Sequence, residues 1–209
     1  MSTRAKADKA DNADKAAERV AHRTPIECTT ASAWERWLEH HHAAAASVWI
    51  RIAKKGSGID SVTHAEALEV ALCYGWIDGQ IKAEDGEHFL RRFSPRTSHS
   101  IWSKINREKA LKLIEEGLMQ PAGLAEIERA RADGRWEAAY DAQSVAVVPP
   151  DLQAALDANR KAKAFFAKLD AHNRYAVLFR IQGAKRPQTR ASRIALFVDM
   201  LAKGEKIYP

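Results

Sequence analysis

Tyr74–Arg107, YGWIDGQIKAEDGEHFLRRFSPRTSHSIWSKINR, decides the fold. Trp76 to Lys82 and His88 to Ser94 read as two strands, and the Asp85-Gly86 pair between them favours a hairpin turn. Gly79, inside the first strand, permits a bulge or the close approach of another backbone. Beyond the hairpin the pattern turns helical. Ser103 or Asn106 is placed to cap a helix that runs near 106–116 and stops at Gly117. The same stretch gathers Trp76, Asp78, Arg91, Arg92, Arg96, Trp102 and Asn106, more aromatic and charged groups than folding signals alone require.

On the N-terminal side, Val48, Ile50 and Ile52 alternate with Trp49 and Arg51, which predicts a strand over Ser47–Ala53. Thr63-His-Ala-Glu66 is a capping box that opens a helix ended by Gly75, and Ser32-Ala-Trp-Glu35 is a second one ahead of Trp37, Leu38 and His41. Residues 1–24 repeat an Ala-Lys-Asp theme without hydrophobic periodicity and read as a disordered or frayed tail. On the C-terminal side, a helix follows Pro121 and ends before Gly134, with Trp136 and Tyr140 anchoring the next connection. Pro149-Pro150 marks a boundary. Past it, Asp151, Asn159 and Asn173 are expected to cap three short helices. Pro187 fits the first turn of a last helix, whose apolar stripe is Ile194, Phe197, Val198 and Leu201. The expected class is α+β: a small antiparallel sheet with packed helices over 25–148, followed by a C-terminal helical module over 149–209.

The 209 residues are 46% hydrophobic and 29% charged with six tryptophans, enough for an ordinary core. No run of about 18 apolar residues offers a membrane span. The N-terminus lacks the apolar middle of a secretory signal. Cys28 and Cys73 alone make neither a disulfide framework nor a zinc cage. These features lead to the expectation of a soluble cytoplasmic protein. The net charge of +6 is uneven: residues 150–209 hold 12 Lys/Arg against 5 Asp/Glu, a net +7, which leaves the rest at −1. Such a segment attracts polyanions or acidic surfaces, or merely keeps the chain soluble.

Lys54-Lys55, Gly75-Trp-Ile-Asp-Gly79, Phe93-Ser-Pro-Arg96, Ser100-Ile-Trp-Ser-Lys-Ile-Asn-Arg107, Gly134-Arg-Trp136, and Ala184-Lys-Arg-Pro-Gln-Thr-Arg190 with Arg193-Ile194 follow one another along the chain. In this order they resemble the bacterial YdeI/OmpD-associated family, whose members are labelled bacteriocin-protection proteins. The similarity extends over roughly residues 33–205. Thr97-Ser98-His99 departs from the family pattern, where more basic residues are common. The resemblance implies a role in tolerance of bacteriocins or antimicrobial peptides, and in some members a link to an outer-membrane porin. It supplies no catalytic residues.

The leading site expectation is an anion pocket at the hairpin–helix junction. Arg92, Arg96 and Arg107 would supply charge, the Ser103/Asn106 cap would supply amides, and Trp76 and Trp102 would form apolar walls, with Lys54 and Lys55 as further contacts. The plain alternative is that the cap only caps, the tryptophans pack and the arginines pair with Asp78 or Glu108. Asp78 is either a structural ion-pair partner for Arg92 or Arg96, or the acid/base group of an enzyme acting on a small anion. Lys185, Arg186, Arg190 and Arg193 form a basic face, with Arg186, Arg190 and Arg193 at i, i+4 and i+7. It would grip nucleic acid or simply be solvated, and no base-stacking motif favours the former. His40-His41-His42 points in three directions on a helix, so no metal is expected there. His99-Ser100 is not a triad, and Lys54-Lys55-Gly-Ser-Gly58 is neither a P-loop nor a dinucleotide fingerprint, so no cofactor is expected. The favoured reading is a non-enzymatic binding protein for a small anion or an acidic protein.

Overall fold

The computed structural model describes residues 24–184 and 186–209. The expected tail at 1–24 therefore lies almost wholly outside the described residues, as does Lys185. The elements in order are β1 (Ile26–Glu27), α1 (Ala31–His41), β2 (Val48–Ala53), α2 (His64–Cys73), β3 (Trp76–Ala83), β4 (His88–Pro95), α3 (Lys104–Glu115), α4 (Pro121–Ala132), α5 (Pro150–Ala158), α6 (Arg160–Phe166), α7 (Ala171–Gln182) and α8 (Pro187–Ala202). The class is α+β with a helical C-terminal region. The chain divides into two compact units, one holding residues up to Ser100 with Glu108–Glu137, the other Ile101–Arg107 with Ala138–Pro209.

In the first unit the sheet order is β1-β2-β4-β3. β2 pairs antiparallel with β4, and β4 with β3, but the two-residue β1 pairs parallel with β2. The sheet is thus mixed rather than purely antiparallel. The alternation predicted for β2 holds: Val48, Ile50 and Ile52 are buried and face Phe93, Arg91 and Phe89 of β4. Helices α1 and α2 contribute to that face. Trp34 is fully buried, its ring 5.5 Å from Phe93, and its indole N–H donates to Ala67 O at 3.0 Å. The register shift between Asp78 and Ile81 is the bulge that Gly79 permits.

Several local details differ from expectation. Thr30, not Ser32, caps α1, because the helix begins at Ala31 and the Thr30 hydroxyl accepts from Ala33 N. The Thr63/Glu66 capping box forms in full. The hairpin does not use a positive-φ Asp-Gly turn. Asp85 instead accepts the amides of Glu87 and His88, at 2.8 and 2.6 Å. Gly75 does take a positive φ, +72°, and a side chain there would meet Ala122 O at 2.9 Å. The start of α4 therefore lies tight against the end of α2, where Gln120 N donates to Cys73 O.

The second unit buries Leu152, Leu156, Phe166, Val177, Ile181, Phe197 and Leu201 in one core. Asn159 caps α6 as expected. Asp151 is not a cap: Pro149 holds that position on α5, and Asp151 lies two residues past it, as the second residue of the helix. Nor is Asn173, since Asp170 caps α7 and accepts from Asn173 N at 2.8 Å. The buried Asn173 side chain instead exchanges hydrogen bonds with the Tyr208 backbone.

Candidate functional site

The expected ligand-binding residues divide between the two units: Lys54, Lys55, Trp76, Arg92 and Arg96 belong to the first, Trp102, Ser103, Asn106 and Arg107 to the second. Trp76 is 1% and Trp102 2% exposed, so both rings are core rather than apolar walls facing a ligand. The Trp76 indole N–H donates to His42 O, and its ring meets Trp34 and Trp37 edge-on. Arg96 is also buried, with its backbone N–H on Gly75 O. At the start of α3, Ser103 Oγ accepts from Asn106 N at 3.1 Å, Ser103 O from Arg107 N, and Tyr140 O from Lys104 N. Those acceptors already take up the amides of Lys104, Asn106 and Arg107 at the helix start where an anion was expected. The Lys104 ammonium pairs with Asp141. Lys54 is committed too, since its ammonium donates to the carbonyls of Asp85 and Gly86. Lys55 is exposed.

What the sheet assembles is different on its two faces. On the helix-covered face, Asp78 Oδ2 accepts from His64 Nε2 at 2.9 Å and from Arg91 Nε at 3.0 Å, with Arg91 Nη2 also in contact. Asp78 therefore pairs with Arg91, not with Arg92 or Arg96. Register explains the choice: Asp78 and Arg91 share the face of Phe93, while Arg92 projects to the other side. Burial pushes the Asp78 carboxyl upward, but the hydrogen bonds from His64 and Arg91 outweigh it and hold the pKa below the ordinary value. His64 stands at the first position of α2 with its side chain 39% exposed. In the sequence, His64 is only the residue after the cap in a capping box. A His three residues upstream of the apolar run of α2 gave no periodicity signal, because its partner is 14 positions away.

The opposite face carries Trp49 directly across from Arg92, with Lys82 alongside. The Lys82 ammonium sits 4.5 Å from the Trp49 ring centroid. Arg92 Nη2 donates to Ser47 Oγ at 3.0 Å, while its Nε is shielded from solvent and has no acceptor among the described residues. Trp49 and Lys82 were legible only as strand residues, and their grouping with Arg92 needed the register.

Other candidates resolve into structure. Glu84, Asp85 and His88 lie close enough to share a cation, but the Arg51 guanidinium already binds Glu84, Asp85 and Glu27. His40 and His42 donate from Nδ1 to Arg36 O and Leu38 O, one turn back. On α8, Arg190 pairs with Asp151 and donates to Ile181 O, while Arg193 donates to Arg180 O. Two guanidiniums of the expected nucleic-acid face thus close the C-terminal turn of α7, where cations are favourable. Arg186 alone of the described three is exposed.

The fold and these clusters define a small α+β protein with a helical C-terminal region. Residues 145–204 match the family model described as bacteriocin-protection, YdeI or OmpD-associated, a likeness confined to that C-terminal segment. Residues 26–126 match a domain of unknown function, DUF8412. The motifs between Lys54 and Arg107 that suggested one continuous family thus fall under this second description. No curated protein and no solved structure matched the chain. No helix among the described residues is long and apolar enough to cross a membrane.

Proposed function

We propose that the protein is a cytoplasmic, non-enzymatic binding protein acting in tolerance of bacteriocins or antimicrobial peptides, and that it recognises a ligand bearing an anionic group on the outer face of its sheet. The observation that carries this reading is Arg92. Its guanidinium holds a solvent-shielded Nε without an acceptor among the described residues, directly across from a half-buried tryptophan and next to Lys82. An unmatched buried donor costs about 1–3 kcal/mol, and a carboxylate or phosphate oxygen would remove that cost. The Trp49 ring offers an apolar surface for the body of the same ligand.

Thermal denaturation across phosphates, nucleotides and carboxylates tests this reading. A ligand at 100 times its Kd adds about 2.7 kcal/mol of stability. A selective shift that vanishes in Arg92→Ala supports the site. A shift untouched by that substitution, or no shift with any anion, refutes it.

A second reading rests on the His64–Asp78 pair. Asp78, held by two donors, is poorly suited to take a proton itself, whereas it orients an accessible imidazole for acid/base work. This recasts Asp78 from acid/base to positioning residue. Screening ester and phosphoester substrates decides it: turnover lost in His64→Gln but kept in Lys55→Ala supports an enzyme, and absence of turnover removes the idea.

A further inference from the structure

An open apolar groove of about 460 Å³ runs between α5 and α8 of the helical unit. Ala155 forms one wall, and Pro187, Ala191, Ile194, Ala195 and Val198 the other. The α8 residues fall at i, i+4, i+7, i+8 and i+11, a single stripe roughly 16 Å long. Pro187, Ala191 and Ala195 are exposed, and Leu196 on the flank is 62% exposed. Alanine walls keep the floor low, so another backbone can approach closely. The volume is in the range of ligand sites, about 300–1,000 Å³, but its shape follows a helix rather than enclosing a compact molecule.

Charge selects the occupant. Asp151 is bonded through both carboxylate oxygens to Arg190, at 2.5 and 2.9 Å, which sets the first turns of α5 and α8 side by side at one end of the groove. Neither Pro149 nor Arg186 contributes a side-chain cap, and the Arg186 guanidinium is exposed beside them. Two helix starts, an exposed arginine and a neutralised aspartate make that end positive. The far end is balanced, since Asp199 is paired with Lys203. The surrounding segment carries 12 basic against 5 acidic residues.

We propose that this groove binds an amphipathic helical segment of a partner protein, with its apolar stripe on the alanine walls and its acidic residues over the first turns of α5 and α8. Such helix-in-groove docking reads apolar anchors at i, i+3, i+4 and i+7. The site is separate from the anion-binding face of the sheet and does not depend on it.

The test uses the full chain and fluorescent synthetic helices, read by anisotropy. One probe has a leucine–alanine stripe and glutamates at its C-terminal end; a second has the stripe scrambled, and a third carries lysines in place of the glutamates. The expected result is saturable binding of the first probe, at least about tenfold weaker for the other two and for Ala195→Glu, and unchanged in Arg92→Ala. Ala195 is exposed, and circular dichroism checks that its variant folds. Equal binding of the scrambled probe would leave only non-specific attraction to charge and overturn the groove. Equal binding of the lysine probe would overturn the acidic character of the partner. Failure of all probes, or a dimer that Ala195→Glu dissociates, would overturn the proposal, the latter by giving the groove to a second copy of the chain.

Discussion

Asp78 on β3 and His64 at the start of α2 are joined by a 2.9 Å hydrogen bond, and Arg91 on β4 binds the same carboxylate oxygen. One half-buried carboxylate therefore ties a helix start to two strands. The folded pKa of Asp78 lies below its ordinary value, so the stability this group contributes is present above the ordinary carboxylate range and is lost as pH falls through the folded pKa. Urea denaturation as a function of pH should show an acid limb that is shallower in Asp78→Asn. At neutral pH the same variant leaves Arg91, 20% exposed, without its counter-charge, and should lose about 1–3 kcal/mol. An unchanged neutral stability together with an unchanged acid limb would show that the pair contributes nothing.

Gly123 is the tightest glycine in the first unit. A Cβ at that position would collide with Cys73 O and come within 2.5 Å of Met119 Sδ. Backbone cannot rotate away as a side-chain tip can, so Gly123→Ala should cost about 1–3 kcal/mol by overpacking, read as a lowered midpoint of thermal unfolding. A helix-favouring alanine that stabilised the protein instead would mean that α4 moves freely against α2.

Burial pushes both thiols up to about 11 for Cys28 and Cys73, each 5% exposed. Thiolate, not thiol, reacts with disulfide reagents. At neutral pH both cysteines should resist labelling in the native protein and react at once after denaturation. Rapid labelling of the folded chain would reveal local opening of α2 or of the connection between β1 and α1 that holds Cys28.

How much of this was visible in the sequence follows the range of each interaction. β2, the β3–β4 hairpin and the Thr63/Glu66 capping box were legible because alternation and cap spacing are encoded within a few positions. The two-residue β1 is too short to show a period, and the hairpin turn is closed by the Asp85 side chain instead of a positive-φ glycine. The helix starts shifted where two polar residues competed: Thr30 displaced Ser32, and Asp170 displaced Asn173. The candidate site was less legible. Arg91 and Arg92 are neighbours with similar sequence credentials, and only the pairing of β4 with β3 sends the first to Asp78 and the second to the face of Trp49. Trp76 and Trp102 were expected in a pocket because tryptophan serves cores and binding sites alike. Their burial was set by partners such as Trp34 and Trp37 for Trp76, more than 35 residues away in the chain.

The basic residues of α8 show the same limit and give a discriminating experiment. Arg190 donates to Ile181 O at 3.1 Å and Arg193 to Arg180 O, both carbonyls in the last turn of α7. Ile181 O also accepts from the backbone amides of Gly183 and Ala184, so Arg190 adds to an existing cap, and the positive charge of both arginines opposes the negative end of the helix dipole. If this is what the two arginines do, Arg190→Ala and Arg193→Ala should each lower stability by about 1 kcal/mol. Neither should flatten the dependence of polyanion affinity on salt. A nucleic-acid grip makes the opposite forecast: each phosphate contact removed reduces the slope of log affinity against log salt by about 0.7–0.9. Measuring unfolding and single-stranded oligonucleotide binding on the same variants separates the two roles. A stability loss with an unaltered salt slope assigns both side chains to the folding of the helical unit, and a reduced slope with unaltered stability returns them to a binding face.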